Sequence, residues 1–519
     1  MSTSTATRPH ATSSMSMSSA QPPRTYGGWR RTRGIGLFGL GAVATAVVLA
    51  CIVLPLLALS TSVRAGLVVA LPCGLVAVLT VARFDGAPLT DVVLRRGQFT
   101  WARMRGYTSL RAGVVVEHPS AWQLPGALAT TRLLSVADGR GGAFGLVQDE
   151  RSGMLTATLR CASSSTWLVD SDAADGWVAS WHSWLASRGF DPLVAWVAVT
   201  VDTAPEPGST LARNVASRLH PEAPADVLAL LRELILRSPA AAADVDTRVS
   251  ITFDPSRAGE RLPDLADRTA EVARALTGME AALGECGVTV LGRATAAELA
   301  GTVRTAFDPA SRGDVNTLLD DALPSSSGAG TCPLLAWGEA GPVAAEDSWG
   351  TYRHDSGTSV SWAWHEAPRQ QVTANVLTRL LSPGRFPRRV TLLFRPLPAG
   401  AAARVLESQV NAAAFRDAYR RSQGRDATAR DIADRERAVA AAREEALGAG
   451  VVLMSLYVTT TVLDGDDDTA LAAAIADTEA RADQSKVRLR RLWGSQALGF
   501  ATTLPAGLHP AHVAGRVLA

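Results

Sequence analysis

Asp464, Asp466, Asp467 and Asp468 put four carboxylates into five consecutive positions after an apolar run. Carboxylates in such a cluster could hold a divalent cation for a membrane-bound transferase acting on a nucleotide sugar. The same residues also suit a loop followed by an acidic first helical turn, where negative charge meets the positive end of the helix dipole. We expect the loop-and-turn role. The eight histidines (His10, His118, His182, His220, His354, His365, His509 and His512) contain no H-x-x-x-H pair. His365-Glu366 runs into Ala367-Pro368, which ends the element before a second ligand could fall one helical turn on, so a zincin site is excluded. Gly357-Thr358-Ser359-Val360-Ser361 lacks the second glycine of a nucleophile elbow.

Lysine decides a further class. Lys486 is the sole lysine among 51 basic residues, and it sits between Ser485 and Val487. A phosphate-binding P-loop requires a lysine followed by Ser or Thr after a glycine. P-loop ATPase activity is therefore excluded. Gly34-Ile35-Gly36-Leu37-Phe38-Gly39 spells a dinucleotide fingerprint, but Arg30, Arg31 and Arg33 precede it and no acid follows until Asp85. Without a preceding strand or a ribose-binding carboxylate it reads as the glycine-rich start of a membrane helix. Cys51, Cys73, Cys161, Cys286 and Cys332 are odd in number and unpaired in spacing, which argues against a disulfide framework and a zinc site. We expect no cofactor, no metal and no catalytic residue.

Lys486, Arg488, Arg490 and Arg491 alternate in part with Val487 and Leu489. Two roles stand for this basic strand: an edge protected by charge, or a partner-binding surface for an acidic protein or the anionic inner leaflet.

These residues must be carried by a chain of 519 residues, 47% hydrophobic, with 51 basic against 49 acidic side chains. The near-neutral balance argues against direct nucleic-acid binding, and the apolar content against disorder. Residues 1–33 read as a disordered basic tail. Ile35–Leu59 and Ala65–Ala82 are uncharged runs long enough to cross a hydrocarbon core of about 30 Å, making residues 34–83 a transmembrane hairpin. Arg30, Arg31, Arg33 and Arg83 flank it while the turn holds only Arg64, so both termini are expected in the cytoplasm of a two-helix cell-membrane protein. Ala42, Ala46 and Ala50 would let the helices approach.

Residues 84–106 read as a linker. Periodicity then predicts an α+β soluble part of two α/β subdomains, residues 107–322 and 334–510, with a Gly/Ser/Pro-rich loop at 323–333 and a tail at 511–519. In the first, strands at 132–137, 143–148 and 154–161 precede a helix at 170–188 bearing Trp177, Trp181 and Trp184 on one face. A strand at 192–201 and further strands at 247–253 and 287–291 alternate with helices at 224–236, 264–283 and 294–306. In the second, a hairpin at 351–364 is followed by a helix at 371–381 and a strand at 389–394. A long, salt-bridged helical hairpin spans 400–447. A strand at 451–463, a helix at 469–482 and a strand at 486–492 close the fold.

Several short motifs carry a family resemblance. Gly106-Tyr107-Thr108-Ser109-Leu110, Arg151–Arg160, Ser348-Trp349-Gly350-Thr351-Tyr352 and Gly499-Phe500-Ala501-Thr502-Thr503-Leu504-Pro505 stand in order along the chain. Together they resemble actinobacterial integral membrane proteins of conjugation or type IV secretion-like loci. That family joins a PrgI-like membrane hairpin to a domain resembling the N-terminal half of CagE/TrbE-type secretion ATPases. In those ATPases the F-x-x-x-L-P signature directly precedes the motor, whereas here fourteen residues follow Pro505. The resemblance implies a non-enzymatic, membrane-anchored scaffold. Its expected partners are a separate secretion-type ATPase, membrane channel subunits, lipid, and copies of itself. An EccE-like subunit of type VII secretion is the alternative within the same class.

Overall fold

The computed structural model describes residue 26 and residues 42–84, 87–112, 122–139, 141–163, 169–205, 215, 218, 220, 224–237, 243–258, 264–322, 335–366, 368, 370–422, 429–446, 450–465 and 469–517. The chain is mixed helix and sheet with two apolar helices near its N-terminus. Helix α1 (Ala42–Thr61) and helix α2 (Val63–Val81) form a tight antiparallel pair, Ser62 capping the second by accepting from Ala65 N. Ala46 and Ala50 are exposed, contrary to expectation. The close approach is instead at Gly66, where a Cβ would lie 2.8 Å from Leu59 Cδ1.

The segment expected to be a linker folds. After the short hairpin β1 (Arg83–Phe84) and β2 (Ala87–Pro88), helix α3 runs over Leu89–Met104 and strand β3 over Ser109–Arg111. The first half of the remaining chain then holds β4 (Thr131–Ala137), β5 (Ala143–Asp149), β6 (Leu155–Ser163), α4 (Ser171–Ser187) and β7 (Val194–Pro205). It continues through α5 (Ala225–Arg237), β8 (Ala243–Phe253), α6 (Leu265–Leu283), β9 (Val288–Arg293), α7 (Ala296–Phe307) and α8 (Arg312–Ala322). The second half holds β10 (Ala344–Asp347), β11 (Tyr352–His354), β12 (Gly357–Glu366), α9 (Thr378–Leu381) and β13 (Arg388–Pro396). Then come α10 (Ala399–Ser422), α11 (Ala429–Ala446), β14 (Val452–Leu463), α12 (Ala470–Gln484), β15 (Arg488–Arg491), α13 (Gln496–Thr502) and α14 (Pro510–Val517). The expected helix at 371–381 is only the single turn α9. Val372 instead exchanges backbone hydrogen bonds with Tyr26 (2.7 and 2.8 Å), whose hydroxyl donates to Asp175 at 2.7 Å.

All strands from β3 onward join one sheet, ordered β3-β10-β11-β12-β14-β13-β7-β8-β6-β5-β4, with β15 on β12 and β9 on β6. That order is one unit used twice. In each half a three-strand meander is followed by a helix, a central strand, a helical insert, a strand, a helix, a short strand and a helix. The central strands β7 and β13 pair antiparallel, and Thr200 faces Thr391 at the join. Outward from there, Val199 pairs with Val249 and Val390 with Val458. Thr158 then pairs with Ser250, and Ser361 with Thr459. Ala294 N donates to Thr158 O at 2.8 Å, and Leu492 N to Ser361 O at 3.0 Å. Both central strands end in the same motif, Pro205-Glu206-Pro207 and Pro396-Leu397-Pro398.

Strand alternation divides the sheet faces. One face packs Leu155, Leu159, Val197, Val249 and Ile251 against Trp184, Val272, Leu276 and Met279 of α4 and α6. Trp181 and Trp184 of the expected tryptophan face stack at 5.1 Å. The other face is lined with hydroxyls. Thr156–Thr252 (3.0 Å), Thr158–Ser250 (2.9 Å), Thr200–Thr391 (2.9 Å), Ser361–Thr459 (2.9 Å) and Ser359–Thr461 (2.8 Å) are buried cross-strand pairs. Helices α7 and α13 cover this face with Leu299, Val303, Phe307 and Phe500, joined by Leu504 just after α13. α7 begins with a capping box between Thr295 and Glu298.

The outermost hydroxyl pair of each half is closed by the other half. His354 Nδ1 donates to Phe307 O, at the end of α7, at 2.6 Å, because a carbonyl can only accept. Its Nε2 therefore accepts from Ser359 Oγ at 2.8 Å. Burial lowers this imidazole's pKa to about 4, which keeps it neutral. Reciprocally, Gly507 lies beyond α13 and rests on Thr156 and Thr252, with Trp196 Nε1 donating to its carbonyl at 3.1 Å. Gly507 has φ +65°, and a Cβ there would fall 1.9 Å from Thr156 Oγ1, so only glycine fits without a shift.

Candidate functional site

Three regions hold the residues that could act: the apolar helix pair, the basic strand and the cleft beside the C-terminal segment. Ala44–Thr61 and Val63–Val81 are long and apolar enough to cross a membrane. Leu56 is 61% and Leu71 80% exposed. Exposed aliphatic surface on this scale requires a cover. Arg64 is exposed in the first turn of α2 and Arg83 is exposed at β1, while Arg30, Arg31 and Arg33 lie outside the described residues. Tyr26, before the helix pair, and β3, after it, both contact the body built on the large sheet.

The basic residues expected on β15 and just before it divide between roles. Lys486 is exposed in the left-handed region (φ 55°), the one described non-glycine residue there, at the turn from α12 into β15. Arg488 is exposed and pairs with Glu366 at 3.9 Å. Arg490 is half-buried on the same side of the strand. Arg491 points the other way, its Nε donating to Gly350 O at 2.9 Å and its guanidinium 4.7 Å from the Trp493 ring. Burial lowers its pKa, which the Glu479 charge opposes.

The cleft encloses about 110 Å³ between Asp149, Ser152, Trp196, Gly507, His509 and His512. That is well below the roughly 300–1,000 Å³ of a small-molecule site. Asp149 accepts from Thr130 Oγ1 (2.8 Å), Ser152 Oγ (2.5 Å) and Arg151 N (3.2 Å), which commits it to holding the β5–β6 turn. Both histidine rings pack on Trp196, at 5.2 and 5.4 Å. Burial, with the charges of Arg395 and His512 adding, lowers the His509 pKa to about 4, so it is neutral and serves the stack.

A buried ionic group lies next to the central join. Arg248 donates to Asp202 (3.1 Å) and Asp246 (2.6 Å), and Arg312 approaches Asp202 at 3.5 Å. Burial alone would raise the Asp202 pKa, but the guanidiniums of Arg312, Arg248 and Arg389 hold it below the usual carboxylate range. Arg389 is lowered to about 10 by burial. It donates to Thr503 Oγ1 at 3.2 Å and lies 4.6 Å from the Phe500 ring.

Among the described residues no three His, Cys, Asp or Glu side chains form a group able to hold a metal ion. Asp464 pairs with Arg353 at 3.2 Å, and Asp466, Asp467 and Asp468 lie outside the described residues. Sequence patterning missed α3 and its seat on Trp349, because its arginines interrupt the apolar period. It also missed the approach of His509 to Trp196, for which no local signal exists. Compared with known proteins, the sequence matches no family, and no curated protein matches it.

Proposed function

We propose that this protein is a membrane-anchored structural component of a bacterial secretion or conjugation apparatus, and that its soluble body is a cytoplasmic docking platform for a separate ATPase. The observation that carries the anchoring is the exposed apolar pair α1–α2, with Tyr26 before it and β3 after it both held on the soluble body. Chain entering and leaving on one side is what a two-helix hairpin in a bilayer requires. Support for a platform comes from how the polar side chains are used. His354, Asp149, Asp202 and Arg248 are each engaged in holding strands, turns or segments together. The assignment to secretion rests on the short motifs quoted above, Ser348–Tyr352 and Gly499–Pro505 among them.

Affinity purification of the tagged full chain from its own cells in mild detergent, with mass spectrometry of what co-elutes, tests this reading. Recovery of a motor ATPase with polytopic channel subunits is the expected outcome. A chain that repeatedly purifies alone would overturn it.

A further inference from the structure

Helix α3 leaves one face uncovered in a position that names its partner. Its start is tied to the end of α2, Leu89 N donating to Ala82 O at 2.9 Å. One side seats on the soluble body: Phe99 is buried edge-on to Trp349 at 5.5 Å, and the Arg96 guanidinium lies 4.6 Å from the same ring. The opposite side carries Leu94, Trp101 and Met104, spaced to share one helical face, and these are 64%, 52% and 76% exposed. Tyr107 follows just beyond the helix, edge-on to Trp101 at 5.9 Å. Between Leu89 and Arg111 the arginines are Arg95, Arg96, Arg103, Arg105 and Arg111, against Asp91 as the one acid. Trp and Tyr favour the boundary between hydrocarbon and water. A helix pairing such an apolar face with basic flanks binds in the plane of an anionic surface.

We propose that α3 lies in the membrane surface, its Leu94–Trp101–Met104 face set at the headgroup–acyl boundary and its exposed arginines other than Arg96, which packs on Trp349, on lipid phosphates. This rests on the reading that α1 and α2 span the bilayer. The occupant of the face follows from continuity: the helix begins within a few residues of the end of a spanning segment, and its charge complements an anionic leaflet. Through Phe99 and Trp349 the strap fixes the sheet close against the membrane, where a tether would leave it free.

The test uses the full chain reconstituted into vesicles of phosphatidylglycerol and phosphatidylcholine brominated near the headgroup end of the acyl chain. Alkaline carbonate is applied first, and a chain that washes off overturns the spanning reading together with the strap. For a retained chain, Trp101→Phe isolates one of thirteen tryptophans by difference. The expected result is that wild type loses more emission to bromine than Trp101→Phe, and that Met104→Trp in the Trp101→Phe chain restores the loss. Equal quenching of wild type and Trp101→Phe, or no restoration, overturns the placement. The loss should also fall in vesicles of brominated phosphatidylcholine alone, and an unchanged loss overturns the role of the arginines.

Discussion

The two halves of the sheet keep the same strand pairing and the same buried hydroxyl pairs, yet differ in charge at matched positions. Arg248 sits opposite Thr200 in the first half, and Tyr457 sits opposite Thr391 in the second. Asp202 of β7 corresponds to Leu393 of β13. On the outer strands the relation inverts, Leu133 facing Val147 in the first half where Asp347 faces Tyr352 in the second. Backbone pairing and small hydroxyl side chains are thus what the unit requires, and charge is where each half has gone its own way. Hydroxyl pairs suit this because each satisfies its partner at close range across a buried face.

The largest effect should come from the Asp202–Arg248 pair, whose matched positions in the second half are Leu393 and Tyr457. Arg248→Met leaves Asp202 buried with a weakened partner set and is expected to cost about 3–5 kcal/mol. Tyr457→Phe at the matched position should cost about 0.5–1.5 kcal/mol. Denaturant unfolding of the full chain in detergent measures both, and equal costs would break the comparison. Asp347→Asn sharpens it from the other side. Burial raises the Asp347 pKa to about 7, an effect its hydrogen bond from Ala497 N only partly offsets. Over pH 4 to 7 the folded state thus binds more protons than the unfolded, and this group's contribution to stability falls as pH rises. The amide variant should gain about 1–3 kcal/mol on wild type between pH 5 and pH 8, and a pH-independent difference would refute the assignment.

Gly507→Ala should cost about 1–3 kcal/mol, because the new Cβ pushes the C-terminal segment off Thr156. Hydrogen exchange should then rise in β6 and β8 but stay unchanged in β12 and β14. The smallest effects test the shared part. Thr158→Val and Ser361→Ala each remove one member of a matched hydroxyl pair and should cost about 1 kcal/mol alike. A clearly unequal pair of costs would mean that the two faces are not equivalent.

Much of the element order is legible in the sequence, because strands such as Thr131–Ala137 and Val452–Leu463 and helices such as Leu265–Leu283 alternate or repeat with the period of their structure. The duplication is not. Matched positions keep Val199 with Val390, Thr200 with Thr391 and Val249 with Val458, while most others have diverged in type though not in role. Thr156 and Ser359 do the same work with different side chains. Charge is no guide to burial here either: Arg388 and Arg389, at the start of β13, are both buried. The contacts at the cleft join residues as far apart as Trp196 and Gly507, a separation of 311 positions that no local pattern can report.

The exchange of closing segments between halves sets an order on synthesis. As the ribosome releases the chain, β6 and β8 emerge with Thr156 and Thr252 long before Gly507 exists to cover them. The end of α7 likewise waits for His354. Neither half can reach its final form until the Gly507 segment has emerged, so the nascent chain spends most of its synthesis with an open polar face. Stalling or premature termination after Phe307 but before Gly507 would release a product whose first half is strand-complete but unsealed, a natural substrate for quality control.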